Sequence, residues 1–204
     1  MRKTPLLLLP AALVMLAACQ PKTPADPAAT PPAAPATETP ATAAPAPADA
    51  TTMAPSAAVA ELKPTQGNDA SGEIRFAVVD GGIRATGEVR GLPPGTEHGF
   101  HVHEKGDCSA PDATSAGGHF NPATTEHGRV GHGPHHGGDS DNIVANDQGV
   151  ATVDTLLQGV TLGDGAGTDI VGKGVIVHAD ADDYATQPTG NAGARLACGV
   201  IARQ

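Results

Sequence analysis

The stretch Glu73-Ile74-Arg75-Phe76-Ala77-Val78-Val79-Asp80-Gly81-Gly82-Ile83-Arg84-Ala85-Thr86-Gly87-Glu88-Val89-Arg90 decides the fold. Ile74, Phe76 and Val78 alternate with Glu73, Arg75 and Ala77, the period of two that an extended strand with one buried face requires. Asp80-Gly81-Gly82 then supplies the positive-φ residues of a tight hairpin. Beyond it Ile83, Ala85, Gly87 and Val89 alternate with Arg84, Thr86, Glu88 and Arg90. Two antiparallel strands are therefore expected.

Downstream, Leu92-Pro93-Pro94-Gly95 breaks the chain, and a strand is expected over Glu97 to Glu104. Asn142 to Asn146, Val150 to Leu157, Gly174 to His178 and Arg195 to Ala202 also read as strands, with Asp147-Gln148-Gly149 turning between the first two. No amphipathic helical period follows the N-terminal leader. Short strands with glycine-rich turns predict an all-β domain, an antiparallel sandwich or barrel. With one Tyr, three Phe and no Trp, its core must be built from Val, Ile, Leu and Ala. A Gly-, Asp- and His-rich stretch runs up to Asp141, and so long a loop inside a compact domain points to function.

Upstream of the hairpin the composition changes. Arg2 and Lys3 precede the apolar run Leu6 to Ala18, a secretory leader pattern too short to span about 30 Å of hydrocarbon. Leu16-Ala17-Ala18-Cys19 resembles the lipobox of bacterial lipoproteins, which implies lipid attachment at Cys19, and Gln20 resembles an outer-membrane sorting signal. Residues 20–57 are almost all Pro, Ala and Thr. Such a segment cannot bury enough apolar surface to offset its ordering entropy, so it reads as a disordered, semi-rigid tether. The expected organisation is a signal peptide over 1–19, a tether over 20–57 and a folded domain over 58–204, held by a lipid in the bacterial envelope, facing the periplasm.

Removing Cys19 from the three cysteines leaves Cys108 and Cys198, a pair able to bridge in an oxidising compartment. The net charge of −10 belongs to the folded part, because the charges before position 58 cancel. An acidic domain with so few aromatics lacks the basic face and stacking platform of a nucleic-acid binder.

His101 and His103 stand at i and i+2 on a predicted strand, so both imidazoles leave one face while Phe100 and Val102 leave the other. His119, His127 and His136 follow along the long loop, with Asp139 three residues after His136, an N and O donor set that suits zinc. His178 ends the apolar run Gly174-Val175-Ile176-Val177. His132 and His135 are read as solvated loop residues.

Three segments, Gly99-Phe100-His101-Val102-His103, Gly118-His119-Phe120-Asn121-Pro122 and Gly190-Asn191-Ala192-Gly193-Ala194-Arg195-Leu196-Ala197-Cys198-Gly199, resemble the copper,zinc superoxide dismutase family in order and spacing. The resemblance runs from about Glu61 to the C terminus. It implies a Greek-key β-barrel of about eight strands that binds copper and zinc and converts superoxide to oxygen and hydrogen peroxide by copper redox cycling. Carried over by residue, it implies copper ligands His101, His103, His119 and His178, and zinc ligands His119, His127, His136 and Asp139. His119 would bridge the metals and donate a proton, and Arg195 would guide the anionic substrate. Asp182 resembles the carboxylate that bonds His101 and His127, and Cys108 and Cys198 resemble the intrasubunit disulfide.

One departure stands out: the stretch Asp183 to Ala194 is short and lacks the lysines that steer superoxide in eukaryotic members. Lys105 and Arg129 are the candidates to replace them. The runner-up function is a non-catalytic copper- or zinc-binding envelope domain of the same fold. The reading leaves open whether the protein is a monomer or a homodimer.

Overall fold

The expected hairpin forms where its glycines permit it. Strand β2 (Ser71–Val79) pairs antiparallel with β3 (Gly82–Arg90), from Ser71 opposite Arg90 to Val79 opposite Gly82. Gly82 has no alternative, since a Cβ there would lie 2.1 Å from the Leu157 carbonyl oxygen. Ile74, Phe76, Ile83, Ala85 and Val89 are buried as the alternation predicts. Val78 is not. It is 52% exposed, although Ile83 directly opposite it on β3 is buried.

The computed structural model describes residues 57–204. The leader, Cys19 and the tether up to residue 56 lie outside them. The other strands are β1 (Ala57–Pro64), β4 (Glu97–His98), β5 (Phe100–His103), β6 (Ile143–Val144), β7 (Val150–Leu157), β8 (Gly174–His178), β9 (Arg195–Val200) and β10 (Ala202–Arg203). Among the described residues the one helical element is a 3-10 turn, Thr114–Ala116.

All the strand pairs are antiparallel, and the main sheet runs β5-β8-β9-β1-β2-β3-β7, with β10 also on β1. The neighbours β3 and β7, β5 and β8, and β1 and β9 are far apart in sequence, the long returns of Greek-key connectivity. Both terminal strands feed one core: Phe100 and Val102 from β5 join Ala151, Val153 and Leu157 from β7. The sheet therefore curls on itself as a partly open barrel, the all-β class expected.

Three elements differ from the strand pattern read in the sequence. The alternation read from the sequence does not include strand β1, because two of its inward residues, Ala58 and Ala60, are alanines that give little contrast with the Pro-, Ala- and Thr-rich segment before them. The single strand expected over Glu97 to Glu104 is interrupted at Gly99, whose amide donates to the Asp180 carbonyl at 2.9 Å and whose carbonyl accepts from His178 N–H at 2.8 Å. The last strand likewise splits at Ile201, whose amide turns to the Lys173 carbonyl.

Candidate metal centre

Strand β5 is buried on both faces. Phe100 and Val102 face the barrel core, while His101 and His103 leave the outer face and are themselves fully buried. The long loop covers that face: Val102 N–H donates to Gly138 O, Phe120 N–H to Val102 O, and Glu104 N–H to Gly118 O, each within 2.9 Å. These bonds stitch the His119 segment against the open edge of β5, where His119 pairs with His103. On β8 a register shift between Val177 and His178 re-aims His178 toward the same place.

Two clusters result. The side-chain donor atoms of His101, His103, His119 and His178 lie within 4.8 Å of one another, as do those of His119, His127, His136 and Asp139. His119 belongs to both. All seven residues are buried.

Hydrogen bonds fix which ring nitrogen points inward. Carboxylate and carbonyl oxygens only accept, so a nitrogen bonded to one carries the proton and leaves the other as a lone pair. His101 donates from Nε2 to Asp182 at 2.8 Å, and His103 from Nδ1 to Gly117 O at 2.9 Å. His127 donates from Nε2 to the other oxygen of Asp182 at 3.0 Å, while His119 Nδ1 and Asp139, two donor atoms of the second cluster, face each other at 2.7 Å. Of the nitrogens facing the clusters, His101 Nδ1, His119 Nε2 and His136 Nδ1 are buried without a hydrogen-bond partner, and His127 Nδ1 lies 3.0 Å from Asp139. Nε2 of His103 and Nε2 of His178 face each other at 3.3 Å.

A buried lone pair without a donor costs about 1–3 kcal/mol. Several converging on one point are satisfied together by a cation. The residues fit two metal ions on this ground alone. The first cluster offers only imidazole nitrogen and the second three imidazoles with one carboxylate, donor sets that suit copper and zinc respectively.

The ionisation states of the first cluster agree. Burial pushes His101 down to about 4, against the opposing pull of Asp182. Burial also holds His103 and His178 well below the usual histidine range, and adjoining histidines add to it. These rings are neutral ligands near neutral pH. Burial opposes the charged form of Asp139 and Asp182, but their bonds to histidine outweigh it and hold both well below the ordinary carboxylate range. His127 is pushed up to about 9, because its bonds to Asp139 and Asp182 outweigh burial. In the second cluster the Asp139 carboxylate is thus paired with a cationic His127 near neutral pH, and a metal bound there would displace that proton.

Asp182 touches one ring of each cluster, His101 at 2.8 Å and His127 at 3.0 Å. Arg195, paired with His178 across β8 and β9, donates from Nη1 to Ala113 O and from Nη2 to Gly117 O, both at 2.6 Å. It stands near enough to His103 and His178 to disfavour their charged forms. Cys108 and Cys198 form a disulfide with Cα atoms 5.8 Å apart, tying the long loop to β9. His132 and His135 join neither cluster. Of the candidates for steering, Lys105 lies 3.9 Å from Glu104, and Arg129 is bound to Asp141 at 2.7 Å.

Several participants carried no sequence signal. Gly117 and Gly193 act through carbonyls that accept from His103 and His178. His98, on the expected strand but not singled out, bonds from Nδ1 to the His178 carbonyl at 2.8 Å. Gln187 grips the His127 backbone at both N–H and C=O, at 2.9 Å each.

Residues 70–201 match the family model described as copper/zinc superoxide dismutase (SODC). The chain is 40% identical over 145 residues to Superoxide dismutase [Cu-Zn] 2 of Aquifex aeolicus, covering 70% of this chain and 84% of that protein. It is 42% identical over 149 residues to Superoxide dismutase [Cu-Zn] of Caulobacter vibrioides, covering 71% and 84%. Among solved structures, a double mutant of a SOD-like protein from Bacillus subtilis superposes with a TM-score of 0.64 at 38% identity, covering 71% of this chain and 96% of that one. The clock protein EA4 gives 0.64 at 41% identity, covering 74% and 96%.

Proposed function

This chain belongs to the copper/zinc superoxide dismutase family, and from that premise we propose that it works as a lipid-anchored enzyme of the bacterial envelope, with each metal held by the residues assigned below. The family's activity is the conversion of superoxide to oxygen and hydrogen peroxide, with copper and zinc as cofactors. His101, His103, His119 and His178 would hold copper, and His119, His127, His136 and Asp139 would hold zinc. Bound there, copper supplies the one-electron redox chemistry that zinc, with its filled d shell, cannot.

The protein's own residues supply the rest. Arg195 keeps its guanidinium fixed by two carbonyls, which leaves further N–H groups for a small anion such as superoxide. Asp182 fixes the orientation of the His101 and His127 rings. Nε2 of His119, buried beside three other imidazoles, is the atom placed to hold a proton and pass it to reduced oxygen, so no separate general acid is needed.

The observation that carries the assignment of metals is His119 itself: Nδ1 faces Asp139 at 2.7 Å, while Nε2 is buried without a partner among His101, His103 and His178. Metal analysis with a superoxide-removal assay on the purified chain tests it. One copper and one zinc per chain with activity is expected, and His119→Ala should lose both metals' normal binding. A chain that takes up both metals yet leaves superoxide untouched would be a metal carrier instead.

The envelope location rests on the leader, on Cys19 in its lipobox-like context and on the disulfide, which persists in oxidising compartments. Labelled fatty acid should enter the full-length protein in bacteria and not the Cys19→Ser variant. Equal labelling, or a variant still in the membrane fraction, refutes the anchor.

A further inference from the structure

Behind the zinc-side residues lies a second layer, two positions further along each segment: Arg129 after His127, Asp141 after Asp139, and Tyr184 after Asp182. Arg129 donates from Nε to Asp141 at 2.7 Å, and its guanidinium carbon lies 4.9 Å from the centre of the Tyr184 ring. Tyr184 Oη accepts from the Asn142 amide at 2.9 Å. Asn142 and Asp182 exchange two bonds of 2.9 Å, side-chain amide to backbone. The Tyr184 amide in turn donates to Asp182 Oδ1 at 2.6 Å.

Tyr184 has a φ of 59°. For a bulky side chain that left-handed conformation is a genuine outlier, and it persists only where surrounding contacts impose it. The contacts here are those to Asn142, Asp182 and Arg129. The ion pair between Arg129 and Asp141 is about half exposed on both sides and contributes little by itself. Its consequence is geometric: it holds the guanidinium over the one tyrosine in the chain.

We propose that Arg129 and Tyr184 form a latch joining the His127–Asp141 segment to the segment carrying Asp182, and that this latch sets how long zinc is retained. They are positioning residues, acting through the zinc-side loop and through Asp182 Oδ1, the oxygen that bonds His127 rather than His101. Copper depends on it less, because three of its four ligands, His101, His103 and His178, sit on strands β5 and β8. The proposal rests on the zinc ligand assignment above.

The test measures zinc and copper release from the fully loaded protein into excess chelator. Arg129→Gln and Tyr184→Ala should each release zinc about tenfold faster or more, the usual scale for losing an outer partner of a metal ligand. Copper release should stay within about twofold, well below that scale. Tyr184→Phe keeps the ring under Arg129 and should fall between. With no tryptophan and a single tyrosine, emission reports Tyr184 alone, so in the native protein it should change at the rate of zinc release. Arg129→Gln leaves the Tyr184 backbone untouched and decides the matter if Tyr184→Ala does not fold. Zinc release at the native rate in Arg129→Gln, an equal rise in copper release, or tyrosine emission indifferent to zinc overturns the latch. A native chain that binds no zinc overturns the ligand assignment and the latch with it.

Discussion

Replacing Gly190 by alanine isolates what the Asp182 bridge contributes. Gly190 has a φ of +64°, and a Cβ there would lie 1.8 Å from Asp182 Oδ1 and 2.7 Å from His127 Nε2. Neither neighbour can yield without breaking a bond, since Asp182 holds His101 at 2.8 Å and His127 at 3.0 Å. The left-handed backbone alone costs alanine about 1–2 kcal/mol. Displacing the carboxylate adds about 1.5–3 kcal/mol for each charge-assisted bond lost. It should also weaken metal binding about 10- to 100-fold. Gly159→Ala is the control: its φ is +72°, and nothing lies within 4 Å of the added atom. Chelator competition for each metal and thermal melting of the loaded protein provide the readouts. Gly159→Ala should melt a few degrees lower, roughly 2–4 °C per kcal/mol for a domain of this size, with native metal affinity. Gly190→Ala should melt lower still and bind both metals more weakly. Equal metal affinities in the two variants would refute the bridge as an organiser of the site.

Three further outcomes follow from other parts of the molecule. Arg195→Ala should lower kcat/KM about tenfold and flatten its dependence on ionic strength; an unchanged salt slope removes Arg195 from substrate guidance. Cys198→Ser opens a loop closed over a sequence separation of 90 and should cost about 4–5 kcal/mol, read as a fall in melting temperature that a reducing agent does not deepen. Asp169 accepts N–H bonds from Gly163, Gly165 and Val171 at 2.7–2.9 Å, and although burial opposes its charge, those bonds hold its carboxyl below the ordinary range. Its stabilisation is present above the unfolded carboxyl value of about 3.9 and is lost as pH falls through the lower folded value. The melting-temperature gap between the native protein and Asp169→Asn should therefore shrink below about pH 4, and a gap constant from pH 7 to 3 contradicts the assignment.

Strands were legible where side chains alternate between strongly apolar and charged residues, as in Ile74 to Val89, and illegible where alanine stands on the inward face, as in β1. The opposed faces of Phe100 and His101 were readable from the period of two. Their equal burial was not, because the cover over the histidines comes from the loop around His119 and Gly138, bonded to β5 from outside. Arg129 could be picked out as a cation but not located, since its partner Asp141 and the Tyr184 ring meet it only after the loops fold together.

The sequence by itself determined the ligand types and their order, because imidazole and carboxylate donors at spaced positions are chemistry written directly in residue identity. It also determined that the cysteines beyond Cys19 number two. Only the tertiary structure decided which nitrogen of each ring faces inward, since that depends on acceptors such as the Gly117 carbonyl and Asp182, distant in sequence and defined by backbone position. Tautomer and direction belong to the environment of a side chain, and the environment exists only once the chain has closed around it.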